Sequence, residues 1–133
     1  MGADVTIISD QGDPIAQVLD LTDGIGADVV MEAGGTKESF DLAFDLVRGR
    51  GQIVAMGYAA QGEIAPVQYA RQELAMFGVC ACTPKHYEEA LKWLQHGKVS
   101  TKAIISHRLD LSEAEKGIKL MRDKEATKVS LTP

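Results

Sequence analysis

Aromatic residues are scarce in this chain of 133 residues, at 5%: three Phe, three Tyr and one Trp. Large ring clusters therefore cannot build its core, and aliphatic side chains must. There are only two cysteines, Cys80 and Cys82, separated by one residue. That spacing suits neither a zinc knuckle nor an easy disulfide, so two thiols in a reducing compartment are expected. No basic excess exists: the formal net charge is -5, which leaves no electrostatic footprint for nucleic acid or an anionic membrane. No apolar run approaches spanning length, and no signal peptide opens the chain. Nucleophile elbows, H-E-x-x-H and Walker loops are missing as well. A single cytoplasmic domain over residues 1–133 is expected, able to bury about two-thirds of its unfolded surface.

One stretch imitates a nucleotide loop. Gly24-Ile25-Gly26-Ala27-Asp28-Val29 resembles G-x-G-x-x-G, but that fingerprint needs a strand before the glycines and a helix after them. Here the order is reversed. Upstream, Asp13 caps a helix with Pro14 at its first position and Ile15, Val18 and Leu19 on one face. Downstream, Asp28 to Ala33 reads as a buried strand. The glycines are thus read as the end of a helix. Gly49-Arg50-Gly51, ahead of Gln52-Ile53-Val54, fails in the same way.

What is present is alternation. Val5–Ile8 reads as a first strand, Pro14–Thr22 as a helix and Asp28–Ala33 as a strand. Thr36 caps a helix carrying Phe40, Ala43, Phe44 and Val47 at helical spacing and ending at Gly49. Gln52–Gly57 and Leu74–Val79 are two more strands. Thr83-Pro84 opens a helix with Tyr87, Ala90, Leu91 and Leu94 inward, closed by Gly97. Ser112–Glu115 has the form of a capping box for a last helix with Ile118 and Met121 facing in, and Val129–Thr132 is a closing strand. Such alternation predicts an α/β fold, a mostly parallel sheet with helices on its faces.

Taken in order, GADVTI, DPIAQVLDLTDGIGADVVMEAGG, FDLAFDLVRGRGQIVAMGY, QELAMFGV and ISHRLDLSEAEKGIKLMRDKEATKVSLTP resemble the medium-chain dehydrogenase/reductase superfamily. The likeness is greatest to its zinc-type alcohol, threonine and sorbitol dehydrogenase branch, and it runs along the whole chain. It implies a partial Rossmann-like, doubly wound domain that begins at the third strand of the cofactor domain and lacks the first βαβ unit. It also implies an NAD(P)-dependent oxidoreductase whose catalytic domain, zinc ligands and pyrophosphate loop have no counterpart here. Binding of NAD or NADP is then expected to be weak or absent, zinc is not expected, and no catalytic or metal-ligating residue is assigned. The alternative is a free-standing, non-catalytic α/β module for oligomerisation or weak nucleotide binding.

In the doubly wound order the first two strands lie between the third and fourth. Without them Val5–Ile8 faces a gap of about 10 Å or more. It could pair directly with Asp28–Ala33, be covered by Val129–Thr132, or pair with another chain; these options stand unranked.

Ligands in α/β sheets sit beyond the carboxyl ends of the strands. The candidate cofactor-facing residues are therefore Ala33, Gly34 and Gly35, then Met56, Gly57 and Tyr58, then Gly78 and Val79. By resemblance, the family uses these loops to hold the nicotinamide and its ribose, and Lys128 matches a basic position that approaches the pyrophosphate. A bland reading competes with this: the glycines make tight turns and Lys128 is solvated. Glu32 is read as a strand-end carboxylate bonded to a neighbouring loop. His86 is expected to be solvent-exposed, His96 to sit at the negative end of a helix, and His107 to lie in a loop. The Leu74–Val79 segment is apolar and lacks Lys or Pro, so it predicts a homodimer formed through an open edge. No nucleic acid or membrane partner is expected, whereas a missing catalytic domain is a possible one.

Overall fold

The computed structural model describes residues 2–58, 66–102 and 104–133. They form two compact units, residues 4–81 and residues 82–133, the latter with residues 2–3.

The first unit begins with helix α1, Pro14–Leu21. The Asp13 carboxylate accepts from the amides of Ile15 and Ala16, and Pro14 sets the first turn, as the sequence predicts. The helix ends where the glycines stand. Asp23 turns left-handed, the Gly24 amide donates back to the Leu19 carbonyl at 2.7 Å, and the Gly26 amide donates to the Thr22 hydroxyl. This is a Schellman closure, and it accounts for the false nucleotide motif.

Strand β1, Ala27–Glu32, follows; then come helix α2, Lys37–Leu46, strand β2, Val47–Ala55, helix α3, Pro66–Gln72, and strand β3, Ala75–Gly78. The three strands form one parallel sheet in the order β1-β2-β3. Its register places Val30, Ile53 and Met76 on one face and Met31, Val54 and Phe77 on the other. The first face is the core. Ile53, with no exposed surface, packs among Ala43, Phe44, Val47 and Leu74, with Val30, Phe40 and Met76 around them. Phe40 and Phe44 meet edge to face at 5.5 Å. Burying a side chain such as Ile53 is worth about 1.5–3 kcal/mol. On the other face Val29, Met31 and Phe77 are exposed.

Several expectations fail in this unit. Val5–Ile8 forms no strand among the described residues, so the expected pairing with β1 does not occur. Four β-branched residues in a row carry strand propensity, but a strand needs a neighbouring ladder to satisfy its backbone. Helix α2 stops at Leu46 rather than Gly49. Val47 leaves it in extended geometry, and β2 starts with a bulge that takes the register from Ala27–Val47 to Val29–Gln52. Helix α3 was not foreseen, and β3 is shorter than Leu74–Val79.

The second unit holds helix α4, Pro84–Gln95, strand β4, His107–Asp110, a 3-10 turn, Leu111–Glu113, helix α5, Ala114–Arg122, and strand β5, Val129–Thr132. Strands β4 and β5 pair in parallel as a two-stranded sheet. Thr83 caps α4 and Gly97 closes it with a second Schellman pattern, both as predicted. Its apolar residues are not inward, however: Tyr87, Leu91 and Leu94 are exposed. The box at Ser112–Glu115 is also corrected. Asp110 does the capping, accepting from the Ser112 amide and hydroxyl, and starts the 3-10 turn ahead of α5. Ile118 and Met121 stay largely exposed, on an open groove with Ala114, Gly117, Val129 and Leu131. His107 lies in β4 rather than a loop, because its backbone finds a ladder partner in Val129.

Candidate functional site

All three strands of the first sheet run the same way, so their carboxyl ends share one rim. Three loops leave it: Ala33-Gly34-Gly35 after β1, Met56-Gly57-Tyr58 after β2, and Val79 after Gly78 ends β3. Hydrogen bonds tie them together. The Met56 and Gly57 amides donate to the Glu32 carbonyl at 2.8 and 2.9 Å, and the Val79 amide donates to the Ala55 carbonyl at 2.9 Å. Helix α2 begins just beyond the first loop, where the Thr36 and Ser39 side chains each bond the other's backbone amide in a capping box.

Glycine is required in two of these loops. Gly35 has φ of +69°, and a methyl group there would press on the Tyr58 backbone at 3.3 Å. At Gly57 a methyl group would lie 2.5 Å from both the Gly35 nitrogen and a Glu32 carboxylate oxygen. The two loops meet backbone to backbone, with room for no side chain between them. Gly78, by contrast, faces open space.

Glu32 ends β1 and is 3% exposed. Its Oε1 accepts from the Ser39 hydroxyl at 2.7 Å and from the Gly35 amide at 2.8 Å. Its Oε2 is enclosed and accepts no hydrogen bond. The Ser39 hydroxyl, and after it the Gly35 amide, hold the carboxyl below the usual value of 4.5 against the opposing effect of burial. The position at the start of α2 favours negative charge further. A loop-bonded Glu32 is what the sequence predicts; Ser39, its main partner, was not singled out. A polar residue three places after a capping Thr was the available signal.

The remaining candidates divide. Tyr58 is 84% exposed, and its hydroxyl meets the Cys80 sulfur at 2.9 Å, which raises the phenol above its ordinary value of 10.0. Met56 and Val79 are part-exposed neighbours on the rim. Lys128 belongs to the second unit. Its side chain is exposed, and its carbonyl accepts from the Ser106 and His107 amides. His86 serves the α4 cap, accepting from the Thr83 amide, and His96 sits at the C-terminus of α4 with Nδ1 2.6 Å from the Lys92 carbonyl. Among the described residues no three His, Cys, Asp or Glu side chains gather as a metal site. No described helix is long and apolar enough to cross a membrane.

Comparison with known proteins agrees with this architecture. The family model for zinc-binding dehydrogenases matches residues 1–96. A sorbitol dehydrogenase of Halalkalibacterium halodurans is 35% identical over 135 residues, covering all of this chain and 39% of the relative. An erythritol/L-threitol dehydrogenase of Mycolicibacterium smegmatis is 32% identical over 99% of this chain and 37% of its own length. Among solved structures, an alcohol dehydrogenase from Thermus superposes with a TM-score of 0.87 at 29% identity, over 97% of this chain and 38% of its own. The chain thus spans under two-fifths of these relatives, matching their C-terminal part. It belongs to the zinc-binding dehydrogenase family.

Proposed function

We propose that the chain forms the cofactor-facing part of a zinc-type oxidoreductase acting on alcohols or polyols, with NAD or NADP as hydride carrier. The observation behind this reading is the rim itself: bare glycine backbone from two loops, held edge to edge at the carboxyl ends of a parallel sheet. Such backbone leaves donors and acceptors close to a flat ring, where side chains would keep it away. The relatives' names support the chemistry, since they include sorbitol, threitol and NADP-dependent isopropanol dehydrogenases. Gly34, Gly35, Gly57 and Tyr58 would orient the nicotinamide side, with Ala33, Met56, Gly78 and Val79 completing the rim. A bound dinucleotide would supply the hydride acceptor; these residues bind and align it.

The donor set does not fit zinc. Among the described residues no three His, Cys, Asp or Glu side chains cluster as metal ligands. Alone, the chain should not oxidise alcohols. It should bind dinucleotide only weakly, because its G-x-G-x-x-G lookalike ends a helix instead of cradling a pyrophosphate. Calorimetric titration tests this. Dissociation constants near ~1 mM or weaker are expected for NAD and NADP, and micromolar binding would refute the reading of an incomplete site.

The same reading includes a homodimer through Leu74–Val79. Strand β3 closes the sheet order, and beyond it no strand pairs among the described residues. A Met76→Pro variant, lacking one backbone donor, should turn a dimer into a monomer by light scattering; a parent chain that is already monomeric ends this part of the proposal. The free thiols Cys80 and Cys82 suit the cytoplasm as its location.

A further inference from the structure

Glu32 is the one charged side chain buried among the described residues, yet no cation accompanies it. Burying a carboxylate without a counter-ion is unfavourable unless hydrogen-bond donors replace the lost water. Here the donors come from two segments, and a third closes over the carboxylate. The Gly35 amide belongs to the β1–α2 loop and the Ser39 hydroxyl to the first turn of α2. On the third side stands the Gly57 backbone, where an added methyl would come within 2.5 Å of Oε2. The Gly34 and Gly57 amides also favour the charged form, though less than Ser39 and Gly35 do. Meanwhile the Glu32 main-chain carbonyl accepts from Met56 and Gly57. A single residue thus grips one loop through its carboxylate and the other through its carbonyl. A neutral amide whose oxygen kept the Ser39 and Gly35 bonds would put its donor in place of Oε2, against the Gly57 backbone.

We propose that Glu32 is a positioning residue: its ionised carboxylate locks the Gly34–Gly35 loop against the Gly57–Tyr58 loop, so that the rim is rigid before any ligand arrives. Its consequence for a dinucleotide rests on the cofactor reading above, while the lock itself belongs to the ligand-free chain. The groups facing the carboxylate are the Ser39 hydroxyl and the Gly34, Gly35 and Gly57 amides, none of which titrates in the acid range. A carboxyl held below 4.5 in the folded chain stabilises the lock fully above that pH. The stabilisation fades as pH falls through the lowered value.

Nuclear magnetic resonance of the ¹⁵N-labelled chain reads this directly. On acidification the Gly35 and Gly57 amide signals should move together, with one midpoint below 4.5. Ser39→Ala should raise that midpoint, since it removes the strongest of the stabilising bonds. Glu32→Gln should abolish the transition and speed hydrogen exchange at Gly35. If Glu32→Gln fails to fold, Ser39→Ala carries the test alone. Amides that titrate independently, or a midpoint unmoved by Ser39→Ala, would overturn the lock. NADH titrated at neutral pH well beyond the expected dissociation constant of ~1 mM should then shift both amides in the parent chain. A lock that titrates as expected, with neither amide answering NADH, sustains the lock and refutes the cofactor reading instead.

Discussion

Helices α2 and α4 start in the same way and end up in opposite surroundings. Each is preceded by a threonine whose hydroxyl accepts from the third residue on, and each has that third side chain, Ser39 or His86, returning to the cap amide. Both carry an apolar stripe. Yet α2 buries Ala43 and Phe44 against the sheet, whereas α4 buries nothing and leaves Leu91 56% exposed. Capping depends on a few neighbouring residues and so is written locally. Burial depends on what lies opposite the stripe, and no residue of the helix encodes that.

Large-to-small substitutions give the widest separation between the two. Phe44→Ala should cost about 3–5 kcal/mol, since it empties a site among Ala43, Val47, Ile53 and Leu74. Leu91→Ala in α4 should fall within about 0.5 kcal/mol of the parent. Denaturant titration of both variants settles the matter. Equal losses would mean that the α4 stripe is covered in solution.

How much of this could be read from the sequence follows the same division. The Asp13 and Thr36 caps, the Gly24 and Gly97 closures and the alternation of strands and helices all rest on side chains within a few residues of one another. The parallel sheet then follows from apolar strands joined through helices. Val5–Ile8 shows where this reasoning stops: its residues suit a strand, but strand formation depends on a partner that the segment cannot specify. Strand β4 is the converse, a polar-looking Ser106-His107-Arg108 stretch drawn into a ladder by β5. At the rim, the glycines and Glu32 were visible as strand-end residues. Their mutual contact was not, because Gly35 and Gly57 are brought together by the register of β1 against β2.

That contact supplies the next test, of intermediate size. A Gly57→Ala methyl would stand 2.5 Å from the Gly35 nitrogen, with only backbone or a buried carboxylate able to give way. Overpacking of this kind costs roughly 1–3 kcal/mol. Gly78→Ala, at the end of the neighbouring strand, meets open space and serves as the matched control. Thermal unfolding should separate the two variants clearly. If Gly57→Ala unfolds with the parent, the loops lie farther apart than described.

The smallest effect bears on the opening comparison most directly. Thr36→Ala and Thr83→Ala each remove one cap hydroxyl, and each deletes the same bond to the third amide of its helix. By local chemistry the costs should be alike, about 1 kcal/mol. They should register differently. Helix α2 is packed on the core, so fraying its first turn loosens Phe40 and the Ser39 contact with Glu32, and the loss should appear in the unfolding of the whole unit. Helix α4 has no buried side chain to transmit the loss, so its first turn should open alone. Amide hydrogen exchange distinguishes these outcomes: Thr36→Ala should accelerate exchange across α2, β1 and β2 together, and Thr83→Ala only from Lys85 to about Glu88. Global acceleration by Thr83→Ala would show that α4 is cooperatively packed, and the contrast between the two helices would fall.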